Sequence, residues 1–365
     1  MIDINKINPF KTTTQKTDFG TLATLVAEVE ISAKQSISID GKTLMANYVY
    51  KEDGTYNLVY TIIDINGITE SYIEADGILP TLFLSPNQKN FVSIVPYDPN
   101  KELEISFPVF DRENTILPKG NRPFVGDFIG VSNQFSMFYN ADIWSETKPD
   151  KMLAIEFKDD DVKKKHTIKI PLPRNNKVFI ENDEIHLLSK NEDTWLHRQI
   201  DEKGNEIRQR KLETNKTFFR QILSLSFTKN SYLLTQEKGK IIIEKIDKNG
   251  KCLSIELIDI TDSFYNTWQP IKIAEDTYIT QFNGEFGNGW FTIKNDQLLE
   301  IFYGKELKGY KNLLTNEVLE MGNENLIISS INKTKDNSYA IVFYPVNNQQ
   351  NKNEKLIILN RALKD

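Results

Sequence analysis

The sequence predicts an all-β chain of seven near-equal antiparallel modules. Three observations predict it: a short apolar run that returns at a steady interval, polar turns that follow those runs, and an almost complete lack of helical periodicity. The runs start at Leu44, Phe91, Phe135, Ile185, Tyr232, Tyr278 and Leu326, at intervals of 44 to 50 residues. Ile, Val, Thr, Tyr and Phe dominate them, the side chains that suit a pleated, half-buried surface.

The turns give a second anchor. Another β-rich run follows each apolar run and ends at a polar turn: Asp64-Ile65-Asn66-Gly67, Asp111-Arg112-Glu113-Asn114, Asp201-Glu202-Lys203-Gly204 and Asp247-Lys248-Asn249-Gly250, with weaker forms at Asp160, Asp296 and Asn347. Asp bonds the backbone that follows it and Gly tolerates positive φ, so these sequences close hairpins. Such a period, with several short strands per unit, is the spacing of a propeller blade. One four-stranded sheet cannot bury both of its faces alone, and radial stacking of such sheets does so. The predicted architecture is a seven-bladed β-propeller of four-stranded antiparallel blades, one domain over residues 1–365. A pair of β-sandwiches divided near residues 171–176 would also use many strands, but it predicts no constant interval. The runs at 21–31, 36–39 and 355–359 are the candidates for the strand that closes the ring, from either end of the chain.

On these runs and turns, over residues 21–363, the chain resembles the seven-bladed β-propeller superfamily. Its Asp-turn hairpins are similar to those of YVTN-type and quinoprotein-like propellers, and the paired Gly-His and Trp-Asp signature of WD40 repeats is missing. The resemblance implies that the loops joining one blade to the next share a face with the loops between a blade's two middle strands. Ligands of such proteins meet that face, around the central channel.

Composition narrows the partners. The 365 residues are 39% hydrophobic and 26% charged, ordinary for a folded globular chain. A formal net charge of −6 leaves no general basic field, so nucleic acid is not the expected partner. The single cysteine, Cys252, precludes an intrachain disulfide and fits a reducing compartment. In its strand-like context it reads as a small buried hydrophobe. The first residues carry no apolar core of signal-peptide length, and no stretch nears the roughly twenty apolar residues of a membrane span. The expectation is a cytoplasmic protein with no membrane partner. Richness in Lys, Asn and Ile points to an AT-rich bacterial genome.

Motifs of catalysis and cofactor binding are sparse. His166, His186 and His197 are the three histidines, and none sits in a His-Glu-x-x-His spacing, so no metal site is predicted. No Gly-x-Ser-x-Gly elbow marks a nucleophile. Asp159, Asp160 and Asp161 lack the alternation and glycine of a calcium loop and read as a solvated hairpin tip beside Lys163, Lys164 and Lys165. Gly284, Gly287 and Gly289 precede a strand-like run rather than a helix, so they read as a loop between two strands and not a dinucleotide loop. No cofactor and no catalytic residue are assigned.

Binding residues come from loop placement. Arg122, Arg174 and Arg220 lie in inter-blade loops of a chain in which arginine is scarce beside lysine, and Trp144 and Trp268 fall in loops of the same face. The guanidinium fork suits carboxylates, and exposed Arg and Trp dominate binding hot spots. The expected function is a non-enzymatic binding protein that holds a protein or peptide partner, such as a bacterial regulatory or neutralising partner, on that face. The alternative is an enzyme or binder for a small anionic or carbohydrate ligand in the central channel, using carboxylates such as Asp127, Glu213 and Asp262.

Overall fold

The Asp-x-x-Gly turns form as their chemistry dictates. In the computed structural model, Asp201 Oδ1 accepts the backbone N–H groups of Lys203 and Asn205, both at 2.8 Å. Asp247 Oδ1 accepts those of Asn249 at 2.8 Å and Lys251 at 3.0 Å. In both turns the glycine N–H donates to the Asp carbonyl at 3.0 Å. The glycine takes positive φ, 86° at Gly204 and 94° at Gly250. At Gly250 there is also no room for a side chain, because a Cβ would lie 2.0 Å from the Lys211 carbonyl oxygen. A tighter hairpin turn is made by Asn182 and Asp183, both at positive φ.

The structure describes residues 5–6, 10–27, 31–39, 42–50, 56–63, 69–75, 81–84, 91–94, 105–106, 127–132, 135–140, 151–158, 161–169, 177–191, 193–237, 239–259, 264–267, 270–284, 287–305, 309–321, 326–335, 337–345 and 355–363. Among these residues the strands form seven sheets. Each of the seven sequence anchors falls in a different sheet, on strands Lys42–Tyr50, Phe91–Ile94, Phe135–Asn140, Glu184–Asn191, Ser231–Glu237, Thr277–Gly284 and Leu326–Lys335. The chain divides into two compact units, Met1–Leu82 with Asp259–Asp365, and Phe83–Ile258.

In the Phe83–Ile258 unit, three sheets keep the expected four strands in chain order. They run from Asp127–Ser132 to Asp161–Lys169, from Lys177–Glu181 to Glu206–Leu212, and from Gln221–Ser224 to Cys252–Asp259. The middle sheet buries both faces. Ile185, Leu187 and Ile200 pack with Met137 and Ile168 of the preceding sheet. Leu188, Trp195 and Leu212 point the other way, toward Phe219, Ile222, Leu233 and Ile246 of the following one. Strand periodicity makes this two-sided use possible, since neighbouring side chains leave on opposite faces.

The other unit departs from four strands, for identifiable reasons. Phe264–Thr267 and Ile271–Ala274 both pair along Thr277–Gly284, giving a seven-stranded sheet. Pro270 lies between those two short strands and has no N–H to give to a ladder. A five-stranded sheet joins the ends of the chain: Leu326–Lys335, Ser338–Pro345 and Lys355–Ala362 continue into Gly20–Ala27 and Phe10–Thr17. The N-terminal strand therefore docks on the C-terminal one, with Leu22 opposite Leu359 and Thr24 opposite Ile357. The run at 31–39 is instead the first strand of the next sheet, beside Lys42–Tyr50.

The five-stranded sheet also hides two faces. Tyr339, Ile341 and Phe343 pack with Trp290, Phe302 and Tyr310. Ala340, Val342 and Leu25 face Met45. Burying each of the large side chains stabilises the fold by roughly 1.5–3 kcal/mol. A polar lock crosses the first of these packings: Glu300 accepts Arg361 Nη2 at 2.7 Å and Nε at 3.1 Å, and Tyr339 donates to the same carboxylate. Trp290 Nε1 donates to the Tyr339 hydroxyl at 3.1 Å, and Arg361 Nη1 donates to the Phe19 carbonyl at 2.9 Å. The lock ties the N-terminal turn and the last strand to the neighbouring sheet.

Candidate functional site

Arg220 ends the loop of residues 213–220, which links the strand Glu206–Leu212 to Gln221–Ser224 of the following sheet. The loop is short of regular pairing, yet side chains from both sheets hold it. Trp195 Nε1 donates to the Lys216 carbonyl at 2.8 Å, and the Trp195 ring packs on the buried Phe219 with centroids 4.7 Å apart. Thr235 Oγ1 donates to the Phe218 carbonyl at 3.2 Å, and the Arg220 N–H donates to the Leu234 carbonyl at 2.8 Å. Fixing the loop leaves Phe218 at its surface, 52% exposed, while its neighbour Phe219 is buried.

Two cations flank the Phe218 ring. Lys177, the first residue of Lys177–Glu181, places its Nζ 5.0 Å from the ring centroid, and the Arg220 guanidinium lies 5.7 Å from it. At an exposed site such a contact is worth about 0.5–1 kcal/mol. Lys177 Nζ also donates to the Phe219 carbonyl at 2.6 Å and the Arg220 carbonyl at 2.5 Å. Partial burial, and after it the nearby Arg220 charge, pushes the Lys177 ammonium down from the usual lysine range to about 8. Among the described residues no carboxylate pairs with Lys177.

Of the residues expected to line a binding face, Arg220 is thus placed in a fixed inter-sheet loop, half-buried against Phe218. Arg122, Trp144, Arg174 and Trp268 lie outside the described residues. Of the carboxylates, Glu213 is exposed and its backbone bridges to Lys251, Asp127 opens the strand Asp127–Ser132, and Asp262 lies outside the described residues. Cys252 is half-buried and packs against the Leu188–Trp195 cluster; burial, first, pushes its thiol up to about 12, the state of an inert packing residue.

The same sheet face turns polar toward its other end, and here sequence reading missed a cluster. His186 and His197 stand on adjacent strands, both fully buried, with His186 Nδ1 and His197 Nε2 3.0 Å apart. Arg210 Nε donates to His197 Nδ1 at 3.1 Å. A guanidinium can only donate, so His197 is protonated on Nε2, which donates to His186 Nδ1. His186 then carries its proton on Nε2, 3.2 Å from Glu184 Oε2. Phe227 stacks on His197 at 4.2 Å, and the Arg208 and Arg210 guanidiniums lie 5.2 and 5.0 Å from the Phe227 ring. Burial, first, and then the neighbouring charges hold both imidazoles well below the usual histidine range, His186 at about 4. Arg210 is spent on the fold: its other N–H groups go to the Asp247 carbonyl, the Ser226 carbonyl and Ser231 Oγ. The cluster is a junction between two sheets. The register across the hairpin sets His197 opposite Leu188 and His186 opposite Gln199, on one face, and this register is not written in the spacing of the two histidines along the chain.

No family model and no curated protein matches this chain. Solved structures do. The β-propeller domain of the Trilobed protease from Pyrococcus furiosus is similar with a TM-score of 0.55 at 11% identity, covering 92% of this chain and 98% of that one. An oligogalacturonate lyase in complex with manganese is similar with a TM-score of 0.53 at 10% identity, covering 100% of this chain and 99% of that one. Prolyl oligopeptidase B from Galerina marginata has a TM-score of 0.51 at 10% identity over 93% of this chain, which spans 55% of that protein. Identities this low speak to the fold alone. Sheets buried on both faces agree with them. This chain has the β-propeller fold.

Proposed function

We propose that this protein is a non-enzymatic binding module that holds a protein or peptide partner on its inter-sheet loops, with Arg122, Trp144, Arg174, Arg220 and Trp268 lining the binding face. In this reading the chain works in the cytoplasm as one domain of seven blades. A single observation carries the proposal: the 213–220 loop is held by Trp195 and Thr235 from the sheets on either side, and Phe218 stays 52% exposed between two cations. An aromatic side chain held rigidly at the surface loses little entropy when a partner covers it, which is what a hot spot needs.

The test is retention of a partner from lysate of the source organism, compared between the native chain and two variants. One replaces Arg122, Arg174 and Arg220 with alanine, and the other is Phe218→Ala. Both are expected to lose the partner while the melting temperature stays within about 2 °C, because surface substitutions cost little stability. Unaltered retention in both would contradict the proposal. The enzyme reading shares only a fold with the lyase and the peptidases.

A further inference from the structure

We propose that residues 226–230 form an acid-released cap over the buried His186–His197 pair: acidification swings the cap away and bares Phe227 and both imidazoles, while the sheets beneath stay folded. Phe227 belongs to the sheet that follows the one carrying the histidines, and it lays its ring 4.2 Å from His197 and 6.3 Å from His186. Arg210 fastens the cap, its Nη2 donating to the Ser226 carbonyl at 2.6 Å and to Ser231 Oγ at 2.9 Å. Within itself the cap is a small closed unit. Ser226 Oγ accepts the Thr228 and Lys229 N–H groups at 3.1 and 3.0 Å, and Ser231 Oγ accepts that of Ser226 at 2.9 Å. Leu225 and Ser231, at its two ends, are buried and anchor it to its own sheet. The cap can therefore pivot between them as one piece without opening the strands on either side.

In the closed arrangement each ring's acceptor nitrogen is taken, His197 Nδ1 by Arg210 at 3.1 Å and His186 Nδ1 by His197 at 3.0 Å. An added proton can enter only when a ring turns, and the stacked Phe227 blocks that turn while the cap is shut. The surrounding charges offer the proton no help. Arg208 and Arg210 repel it. Glu184, on the histidines' own sheet, has a side chain 37% exposed, makes no hydrogen bond to the His186 ring and lies 3.7 Å from Arg208. On the following sheet, the Asp247 carboxylate accepts N–H groups of its own turn, Cys252 is a neutral thiol, and Lys229 is exposed at the cap's tip. Closed, the pair stays unprotonated; open, both rings titrate near the ordinary histidine value of about 6.5. The ratio of open to closed cap therefore rises as pH falls below about 6.5, by up to about tenfold per pH unit for each histidine. The cap lies at the other end of Gln221–Ser224 from the 213–220 loop, so the switch stands apart from the binding reading.

The experiment places 4-fluorophenylalanine at position 227 of the full chain and follows its fluorine NMR signal from pH 7.5 to 4.5, with circular dichroism on the same samples. One signal, that of a stacked ring, is expected at pH 7.5. A second, solvent-exposed signal should grow below about pH 6.5, by roughly tenfold to a hundredfold per pH unit, while the β-sheet spectrum is unchanged. His186→Gln combined with His197→Gln keeps a donor and an acceptor on each side chain but cannot titrate, and it should hold the ratio constant with pH. His197→Gln alone should still show a rise, of at most about tenfold per pH unit. A single signal down to pH 4.5 would overturn the proposal. So would a second signal that appears only as the sheet spectrum is lost, because the chain would then be unfolding as a whole. Equal growth of the second signal in the double variant would also overturn it, because the histidines would not be the cause.

Discussion

His186 and His197 leave no acceptor for an extra proton. Arg210 already donates to His197 Nδ1, and His197 donates to His186 Nδ1, so a second proton on either ring sets two donors face to face. Glu184 lies 3.2 Å from the outer nitrogen of His186 without a hydrogen bond to it, and 3.7 Å from Arg208 as well. Both rings are thus neutral in the folded state, and their folded pKa values lie below the unfolded value near 6.5. The unfolded chain takes up protons first as pH falls. Stability from this pair is complete above pH 6.5 and drains as pH falls below it, down to about 4 for His186 and further for His197, by up to about 1.4 kcal/mol per pH unit for each histidine. Urea unfolding from pH 7.5 to 4.5 should show this slope, and the His186→Leu, His197→Leu double variant should show a shallower one. Equal slopes would mean that the rings are already charged or exposed. Each histidine was legible as a strand residue, but their meeting was not, because it depends on register across a hairpin rather than on spacing along the chain. The same holds for Lys177. Its contact with Phe218 crosses two sheets, whereas Arg220 was visible from its place after Phe218-Phe219 in a loop.

Elements were the most legible level. An Asp that accepts the N–H groups of the residues two and four places on, with a glycine between them, is written in five residues, and both described examples adopt that geometry. Their necessity can be measured. Gly250→Ala forces a side chain into positive φ and against the Lys211 carbonyl, so it should lower the unfolding free energy by about 1–3 kcal/mol in urea titration. An unchanged midpoint would mean that the turn opens at no cost. Less legible were sheets with more or fewer than four strands. The split edge around Pro270 and the short pair Gly309–Asn312 and Val318–Glu320 are too brief to stand out as periodic runs.

At the scale of the whole molecule, the period of the apolar runs placed one anchor in each sheet, because every module solves the same problem of hiding two oily faces. Which terminus supplies the joining strand was open in the sequence, since 21–31 and 355–359 have equally good β composition. Packing decides it. Leu22 and Leu25 enter two different cores from one strand, and Gly20 lets the backbone approach Asn360 so closely that a Cβ would sit 2.1 Å from its carbonyl oxygen. Buried Arg361, bonded to Glu300 and to the Phe19 carbonyl, then fastens both ends; removing one partner of such a pair typically costs about 3–5 kcal/mol.

The pairing of the two chain ends is tested most directly by hydrogen exchange read along the full chain by mass spectrometry. The amides of Gly20–Ala27 should be protected as strongly as those of Lys355–Ala362 and Ser338–Pro345, and all three should open together as denaturant is added. Rapid exchange of Gly20–Ala27 while Lys355–Ala362 stays protected would contradict it.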